Sequence, residues 1–512
     1  MHSTQNRAGG ISLRQLLPEA RIFGSHDIEF RSCCSSPDDC QPGDLFVAIC
    51  GAEDDSHDWA TTAVENGAVA VVVERYLPVR VPQCLVGDSR VAYGIICQAL
   101  AGDPTSQMRT IGVTGSNGKT VTSMLIASIL GGDAAERAQN LVGAISSVGC
   151  SDGVRQSESS RTTPVQPELA DWLRRMVSNH CRHAVLEVSS KAMADRRLAG
   201  VQLDAYVLTN LRRDHLPEHH SMANYRRLKL SLLKQLKPEG FAILNADDPF
   251  TADLLPQLAQ PALTYGINSE ADLTATIVER HASEQTFILH AGQESIPVRT
   301  QMIGDHHVSN CLAAAAVALV LGHDLASIAR GLERVEYVPG RLEMLRCGQP
   351  YSVYVDGAQS PDAVTAALRT VRRVTTGRVI CVCGAEGTSD SVRRAELGMA
   401  LERNSQQLVL TNDNPGEQEP LQIMHDLLDG IAKPAKVQII PDRETAIAWA
   451  LRNARRGDSV VILGKGDRDF QLVGRKRLKW SDRDMTRTLL YQQGATTAQP
   501  PVRSTSHLRI VG

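Results

Sequence analysis

The amino-acid sequence predicts an α/β fold with three domains: a small N-terminal α/β domain, a central parallel-sheet domain with a glycine-rich loop, and a C-terminal Rossmann-like α/β domain. The chain has 512 residues, which is too long for a single hydrophobic core. Short apolar strands alternate with helical segments, an order that favours mostly parallel sheets. A glycine-rich turn also separates one buried strand from the next helix.

Changes in composition and in the pattern of apolar residues along the chain indicate the domain boundaries. We predict an N-terminal domain at 1–107, a central domain at 108–339 and a C-terminal domain at 340–493. The remaining tail, 494–512, is rich in Pro, Ser and Thr and is predicted to be disordered.

The elements follow from short apolar runs and from apolar residues at helical spacing. In the first domain a turn at Pro42–Gly43 leads into a strand, and 60–67 precedes a second strand at 68–73. Strands are predicted in the second domain at 110–113, 184–188, 205–209 and 242–245, with helices at 120–130, 225–236 and 308–321. In the third domain strands are predicted at 351–355, 378–383, 407–411 and 459–463, with helices at 362–372 and 443–454.

Composition excludes several classes of protein. The chain is 42% hydrophobic and 22% charged, with a formal net charge of -3, so no large basic field is available for nucleic acid. It contains no apolar run of about 18 residues, and its first residues are polar. We therefore expect no membrane span and a cytoplasmic protein. The twelve cysteines are scattered and are predicted to be reduced thiols.

The strongest motif is the segment Gly112–Thr120, which lies between a predicted strand and a predicted helix. Backbone amides of such a loop and the helix N-terminus bind phosphate, and its Lys and Thr serve phosphate and Mg2+. Val113 departs from the strict pattern by replacing the first glycine, and a plain glycine-rich turn is the alternative. The nucleotide-binding residues predicted here are Gly115, Ser116, Asn117, Gly118, Lys119 and Thr120.

Further motifs follow in order, and together with this loop they resemble the Mur ligase family. They are Glu187–Ser190, Thr209–Leu216, Tyr225–Lys229, Asn245–Pro249 and Asn310, and the resemblance extends over roughly 11–493. The central domain is then a P-loop ATPase domain. Within the family the chain is most similar to the tripeptide-forming, MurE-type members, through the segments Pro42–Ala48, Thr162–Pro164, Asp413–Pro415 and Gly464–Gly466.

The resemblance implies an ATP-dependent ligase of peptidoglycan precursor synthesis, and thus a role in cell shape and division. Such an enzyme activates a carboxylate as an acyl phosphate and joins it to an amine. The expected substrates are UDP-N-acetylmuramoyl-L-alanyl-D-glutamate and a free amino acid, which is diaminopimelate, lysine or another. We expect a monomer that binds the muropeptide through its first domain and the amino acid through its third.

The resemblance also implies two Mg2+ sites next to ATP. Thr120 and Glu187 hold the first ion, and His215 and a carbamylated Lys229 hold the second. Reaction with CO2 makes a lysine a carboxylate-like ligand, whereas an ammonium repels a cation. The expected catalytic residues are Lys119, Glu187, His215 and Lys229. The alternatives are a solvated helix lysine at 229 and a capping or core histidine at 215.

Other family positions carry the remaining substrate contacts. Asn310, Arg341 and Asp356 resemble residues on the ATP side. The residues expected to contact the muropeptide or the amino acid are Thr162, Thr163, Ser189, Arg197, Arg394, Asp413, Asn414 and Gly464.

The chain departs from the family at several functional positions. Gln359 replaces an ATP-side histidine, Lys191 replaces a histidine, and Asp195 replaces a glutamine, while Ser36–Asp38 replaces Asp-Ser-Arg in the first domain. Gly416 replaces the arginine with which diaminopimelate enzymes clamp a distal carboxylate. At 464–468, where the family has Gly-Lys-Gly-His-Glu, Asp467 and Arg468 replace the final His and Glu. These changes leave the identity of the added amino acid undetermined by the sequence.

Two other readings remain. One is a ligase for a different acid and amine on the same scaffold, such as a cyanophycin-synthetase-like or folylpolyglutamate-type enzyme, although these lack this first domain. The other is a nucleotide-binding paralogue with little catalysis that regulates or scaffolds wall synthesis. The retained loop and metal positions favour the enzyme, and the altered pockets favour the paralogue.

Overall fold

A computed structural model describes residues 9–51, 55–133, 141–158, 161–212 and 221–494. By internal contacts the chain forms two compact units. The first takes the described parts of Met1–Lys119, Ala134–Leu244 and Asp253–Leu263, and the second those of Thr120–Asp133, Asn245–Ala252 and Thr264–Gly512. The predicted three-domain boundaries remain a prediction. Apart from Gly494, the predicted tail lies outside the described residues.

The first unit begins with a five-stranded sheet in the order β2-β7-β6-β5-β4, in which all pairs but β2-β7 are parallel. Its strands and the short pair β1 and β3 are β1 Ile11–Ser12, β2 Arg21–Phe23, β3 Glu29–Phe30, β4 Cys33–Cys34, β5 Leu45–Val47, β6 Ala70–Val73 and β7 Gln83–Leu85. The helices are α1 Leu13–Leu16, α2 Ala60–Glu65 and α3 Ser89–Leu100. Strands β5 and β6 are buried throughout, as expected for parallel strands covered on both faces.

A second sheet of the first unit has the order β11-β10-β9-β12-β8-β13-β14. Its strands are β8 Arg109–Thr114, β9 Val142–Ser146, β10 Gly149–Ser151, β11 Gln156–Ser157, β12 His183–Glu187, β13 Leu203–Leu208 and β14 Leu236–Asn245. Its helices are α5 Gln166–Ser178, α6 Ser190–Ala194 and α7 Met222–Ser231, whereas α4 Lys119–Gly131 belongs to the second unit from Thr120 onward. Strands β9, β12, β8, β13 and β14 run parallel, so their carboxyl ends share one edge.

The chain continues, mostly in the second unit, with strands and helices that were not predicted from the sequence, apart from the alanine-rich helix. They are α8 Pro249–Leu254, β15 Ala262–Gly266, β16 Leu273–Arg280, β17 Gln285–Ala291, β18 Glu294–Thr300, α9 Asp305–Val320 and α10 Leu325–Glu333. Strands β16, β17 and β18 are antiparallel. Their faces alternate between buried and exposed, so they lack the continuous apolar runs that identified the parallel strands.

The C-terminal sheet has the order β19-β20-β24-β21-β22-β23 and is parallel except for β19. Its strands, with a separate hairpin β25-β26, are β19 Glu343–Met344, β20 Ser352–Asp356, β21 Val379–Cys383, β22 Gln407–Leu410, β23 Gln438–Ile439, β24 Ser459–Leu463, β25 Phe470–Val473 and β26 Lys476–Lys479. The helices are α11 Pro361–Val374, α12 Ser391–Asn404, α13 Pro420–Leu428, α14 Arg443–Asn453 and α15 Asp482–Gln492. Apolar clusters cover both faces of this sheet.

The predicted α/β fold class is confirmed, and most predicted elements lie within a few residues of their expected bounds. The helix predicted at 225–236 is the largest difference. It ends as an α-helix at Ser231, continues as the 3-10 helix Leu232–Gln235, and gives way to β14 at Leu236 because that residue pairs with Leu203. Other 3-10 helices are Pro37–Asp39, Ser56–Trp59, Pro104–Ser106, Leu255–Gln257 and Pro434–Lys436.

Candidate active site

The glycine-rich loop joins the carboxyl end of β8 to the start of α4, as the sequence predicts. Gly115 has φ +148° and Gly118 has φ +85°, both in the region that favours glycine. A Cβ on Gly115 would lie 1.9 Å from Thr209 Oγ1, so no side chain fits there. The loop therefore keeps its backbone free to approach a phosphate closely.

The turn after β13 holds this loop from one side. Thr209 Oγ1 donates to the Asn117 carbonyl at 2.6 Å, and the Asn117 amide donates to Asn210 Oδ1 at 3.0 Å. The Ser116 amide donates to the Asn210 carbonyl. Thr209 and Asn210 were part of a recognised motif but were not among the predicted site residues. Their position directly after the strand that neighbours β8 is the signal that could have found them.

Two lysines converge on the loop. Lys119 Nζ donates to the carbonyls of Gly115 at 3.0 Å and Ser116 at 2.8 Å. Lys229 Nζ donates to Thr114 Oγ1 at 3.0 Å and to the same Gly115 carbonyl at 3.2 Å. Lys229 is 1% exposed, so the reading of it as a solvated helix lysine is wrong.

Glu187 ends the strand β12 beside β8, where it stands opposite Val113. Its side chain is buried, and Oε2 accepts a hydrogen bond from the Ser147 amide at 2.9 Å. The carboxylate is therefore held at the edge of the sheet from which the loop starts. Glu187 and the hydroxyl of Thr120, which follows Lys119 in α4, are oxygen donors of the kind that Mg2+ prefers. His215 lies outside the described residues.

Three predicted substrate residues meet at the backbone of Glu187. Thr163 Oγ1 donates to the Glu187 carbonyl at 2.8 Å and accepts from the Ser189 amide at 3.3 Å. Arg197 Nη1 donates to the Thr163 carbonyl at 2.7 Å, and Nη2 pairs with Asp195 at 2.6 Å. Thr162 precedes this cluster in the chain and is half-buried. Asp195, a departure from the family pattern, thus neutralises the arginine predicted to meet an acidic substrate.

The predicted ATP-side residues of the second unit lie on three elements. Asn310 is buried in α9, where its Oδ1 accepts from Thr122 Oγ1 at 3.4 Å. Asp356 ends β20 and accepts from the amides of Leu342 and Ala358, each at 2.7 Å. Burial raises the pKa of the Asp356 carboxyl.

Arg341 lies close to Asp356, because the Asp356 carboxylate accepts a hydrogen bond from the amide of Leu342, the residue that follows Arg341. Its Nη1 pairs with Asp467 at 2.9 Å. The aspartate that replaces a family histidine at this position is therefore the partner of a predicted nucleotide-binding arginine.

His307 is a residue that sequence analysis missed. It is 2% exposed, lies in the first turn of α9, and is three residues before Asn310. Neither ring nitrogen has a hydrogen-bond partner among the described residues. Burial lowers the pKa of His307 well below the usual range, so the ring is neutral. Buried polar groups without partners are rare and call for a ligand or water.

A buried polar cluster lies at the carboxyl ends of β22 and β24. Asp413 and Lys465 form an ion pair at 2.9 Å with both side chains 0% exposed, and Lys465 Nζ also donates to Asn414 Oδ1 at 2.9 Å. Gly464 has φ +116°, and a Cβ there would lie 2.6 Å from Asp413 Oδ2. Burial disfavours the Asp413 carboxylate, but the charges of Arg443 and Lys465 outweigh this and lower its pKa.

Glu386 links this cluster to the other predicted residues of the third domain. Its Oε1 pairs with Arg468 and accepts from Gln359 Nε2 at 3.1 Å. Arg394 donates to the Glu386 carbonyl, and its guanidinium also pairs with Asp426 at 2.7 Å and with Gln418 at 2.6 Å. Arg394 is only 3% exposed, and these partners occupy it within the fold.

Comparison with known families gives two adjoining matches. The Mur ligase middle domain matches residues 113–318, and the Mur ligase, glutamate ligase domain matches residues 340–466. Within the described part of the chain, no helix has the length and apolarity needed to cross a membrane.

Curated relatives cover most of the chain. The UDP-N-acetylmuramoyl-L-alanyl-D-glutamate--2,6-diaminopimelate ligase of Geobacillus thermodenitrificans is 38% identical over 459 residues, which is 88% of this chain and 93% of that protein. The ligase of the same name from Bacillus velezensis is 34% identical over 480 residues, 92% of this chain and 96% of that protein.

Solved structures are similar over the same length. A structure of UDP-N-acetylmuramoyl-L-alanyl-D-glutamate--2,6-diaminopimelate ligase has a TM-score of 0.69 at 27% identity and covers 95% of this chain and 100% of that one. The MurF ligase of Thermotoga maritima in complex with ADP has a TM-score of 0.60 at 19% identity, covering 90% and 96%. At 19% identity, the similarity to the MurF structure shows a shared fold and nothing more.

Proposed function

The chain belongs to the Mur ligase family, and from that premise we propose that it is an ATP-dependent ligase of peptidoglycan precursor synthesis. It adds the third amino acid to UDP-N-acetylmuramoyl-L-alanyl-D-glutamate through an acyl phosphate, forming a C-N bond. Relatives that carry this activity in their names are 31–38% identical over most of the chain. We propose that the enzyme acts as a cytoplasmic monomer, without nucleic acid.

The observation that carries the proposal is the convergence of Lys119 and Lys229 on the Gly115 carbonyl. The Lys119 ammonium and the glycine loop suit a dense polyanion such as a triphosphate, and Lys229 lies at the same loop, where it could act as a metal ligand once carbamylated. The carboxylate of Glu187 stands at the end of the neighbouring strand. This arrangement favours a site where an acid substrate approaches the γ-phosphate of ATP.

In this proposal Thr120 and Glu187 hold one Mg2+, and His215 and a carbamylated Lys229 hold the other. Mg2+, when bound, neutralises charge on the phosphate oxygens. Lys229 as an ammonium repels a cation, so carbamylation by CO2 is needed for it to act as an oxygen ligand. Its burial beside the loop supports the proposal because a carbamate there would be sheltered from bulk water.

The acid and the amine bind at different elements. For the muropeptide we propose Arg197, Thr162, Thr163 and Ser189 beside Glu187, with Asp195 balancing the charge of Arg197. For the amino acid we propose Asp413, Asn414 and Gly464 together with Arg394, whose guanidinium is held by Asp426 and Gln418. Diaminopimelate appears in the names of the relatives. Gly416 and the Arg468-Glu386 pair leave open whether this chain adds diaminopimelate, lysine or another amino acid.

Direct assay tests the proposal. The protein is incubated with ATP, Mg2+, the UDP-muramoyl dipeptide and single amino acids, and phosphate release and product mass are measured. We expect phosphate release that depends on both the dipeptide and one amino acid, with a product heavier by that amino acid. No turnover with any acid and amine would contradict ligase activity.

The second candidate is a weakly catalytic nucleotide-binding paralogue. The occupation of Arg394 by Asp426 and Gln418 favours it, because hydrogen bonds within the fold already engage both terminal nitrogens of the guanidinium. ATP binding without turnover on any amine would support the paralogue. Turnover with a different acid and amine would instead support a ligase with other substrates on the same scaffold.

A further inference from the structure

Cysteine pairs lie on both faces of strand β4. Cys33 and Cys34 are neighbours in this strand, so their side chains point to opposite faces of the sheet. Cys33 packs against the apolar cluster that contains Cys97, and Cys34 and Cys40 belong to a second cluster. The Cys40 thiol donates to the Ala63 carbonyl at 3.5 Å. All twelve cysteines of the chain are free thiols.

A carboxylate joins the second pair. The sulfur atoms of Cys34 and Cys40 and a carboxylate oxygen of Asp44 all lie within 4.8 Å of one another. Each of the three residues is 6% exposed. The Asp44 carboxylate is fixed in place, because it accepts from Ser32 Oγ and from the Gln41 amide at 2.8 Å.

This donor set has the dimensions of a metal site. Zn2+ binds thiolates at about 2.3 Å and carboxylates at about 2.0–2.2 Å, so its ligand atoms stand about 3.5–4 Å apart. The three donors need only small shifts to reach such distances. Ser32 and the Gln41 amide would act as the outer partners that orient a ligating carboxylate.

We propose that Cys34, Cys40 and Asp44 form a binding site for a single thiophilic divalent ion such as Zn2+. The two thiols each release a proton as their sulfur atoms bind the metal, and no electrons are transferred. A water molecule completes the four positions that Zn2+ prefers.

The consequence of this site is local. Cys34 and Asp44 flank the segment 35–43, which contains Cys40, the 3-10 helix Pro37–Asp39 and the turn at Gly43. A bound ion ties the end of β4 to the approach to β5 and limits the motion of that segment. Binding stabilises the folded state because the unfolded chain does not hold these donors together.

A thiol loses its proton when its sulfur binds the metal. Protons therefore compete with the metal, and the affinity for the ion increases as the pH rises.

Among the described residues, a second group of candidate ligands is His425, Asp426 and Asp429 on α13 and at its end. The side chains of His425 and Asp429 are 71% and 63% exposed, and Asp426 is paired with Arg394. This group is therefore a surface feature and offers no thiolate, which makes it distinguishable by spectroscopy.

Cobalt titration of the full-length, reduced protein tests the proposal, with Mg2+ and ATP in excess to occupy oxygen-rich sites. We expect a single Co2+ per chain with a thiolate-to-cobalt absorption band, displaced by Zn2+, and a higher melting temperature with Zn2+. Cys34→Ser and Cys40→Ser should lose the band, and Ser32→Ala should weaken binding about 10-fold. Asp44→Asn should weaken it while leaving the fold intact.

Cys84→Ser is the matched control, because Cys84 is buried in β7 of the same sheet but outside the cluster. It should keep the thiolate band. Three results would overturn the proposal: no thiolate band in the wild-type protein, an equal loss of the band in Cys84→Ser, or metal bound only at a site that survives Cys34→Ser. A Cys34-Cys40 disulfide that forms in place of metal binding would also overturn it. Ligase activity does not enter this test.

Discussion

The side chains of Lys119 and Lys229 share one acceptor, the carbonyl oxygen of Gly115, although one begins α4 and the other lies in α7. Both side chains therefore lie at the loop where the proposed triphosphate would bind, although they come from helices about a hundred residues apart in the chain.

Removal of the loop lysine should stop ATP turnover. Lys119→Ala deletes the ammonium that we propose to meet the phosphates, and we expect phosphate release to fall on the order of 100-fold or more. Its melting temperature should change little. Lys234→Ala, at an exposed position, is the control and should keep wild-type phosphate release. Unchanged turnover in Lys119→Ala would remove the loop from the mechanism.

Carbamylation of Lys229 predicts chemical rescue. Lys229→Ala should be inactive and should regain part of its phosphate release when short carboxylic acids are added, because they can refill the site with an oxygen ligand. Depletion of CO2 should lower the activity of the wild-type protein but not of the rescued variant. Full activity in Lys229→Ala, or inactivity at every carboxylate concentration, would count against a carbamate.

His307 offers a test that separates stability from binding. Replacement of its unpartnered, buried imidazole by leucine should leave the free energy of unfolding unchanged or raise it by about 1–3 kcal/mol. If the ring contacts the nucleotide, ADP affinity should fall about 10-fold, or about 1.4 kcal/mol. Calorimetric titration with ADP measures this, with His306→Leu as the neighbouring control. A less stable His307→Leu protein with unchanged ADP affinity would refute the contact.

Asp204 should make stability depend on acid pH. Burial disfavours its carboxylate, but hydrogen bonds from Lys237, the Thr110 amide and Arg109 outweigh this and lower its pKa. Its contribution is complete above the unfolded pKa of about 3.9 and is lost as the pH falls through the folded value. Asp204→Asn should therefore cost about 1–3 kcal/mol at neutral pH and progressively less in acid.

Urea unfolding of wild-type and Asp204→Asn protein at a series of pH values measures this difference. Asp253→Asn, at an exposed position, is the control and should show no such trend. A difference between the Asp204 variant and wild type that stays constant into acid would show that the carboxylate charge is not responsible.

The ion pair of Arg443 and Asp482 should be costly to break. Both side chains are buried, and their two hydrogen bonds of 2.7 and 2.6 Å join the starts of α14 and α15. Asp482→Ala leaves a buried charge unpaired and should cost about 3–5 kcal/mol in chemical unfolding. Glu417→Ala removes an exposed pair with Arg475 and should change nothing measurable. Equal effects of the two variants would contradict this reasoning.

Sequence alone determined the local structure around the site. The strand, the glycine turn and the helix at 109–131 follow from residues that are adjacent in the chain, and the C-terminal strand Ser459–Leu463 has its predicted bounds. The half-exposed strands β16 to β18 were not found, because alternation with polar residues gives a weaker pattern than a buried apolar run.

Only the tertiary structure decided which distant side chains meet. Sheet order places β12 and β13 on either side of β8, which brings Glu187 and Thr209 to the loop, and the position of α7 brings Lys229 to Gly115. The same holds for His307, for Arg394 and for the thiols around β4. The spacing of apolar residues indicates which face of a helix or strand a residue lies on. Contacts between segments a hundred residues apart depend instead on how the helices and strands pack against each other.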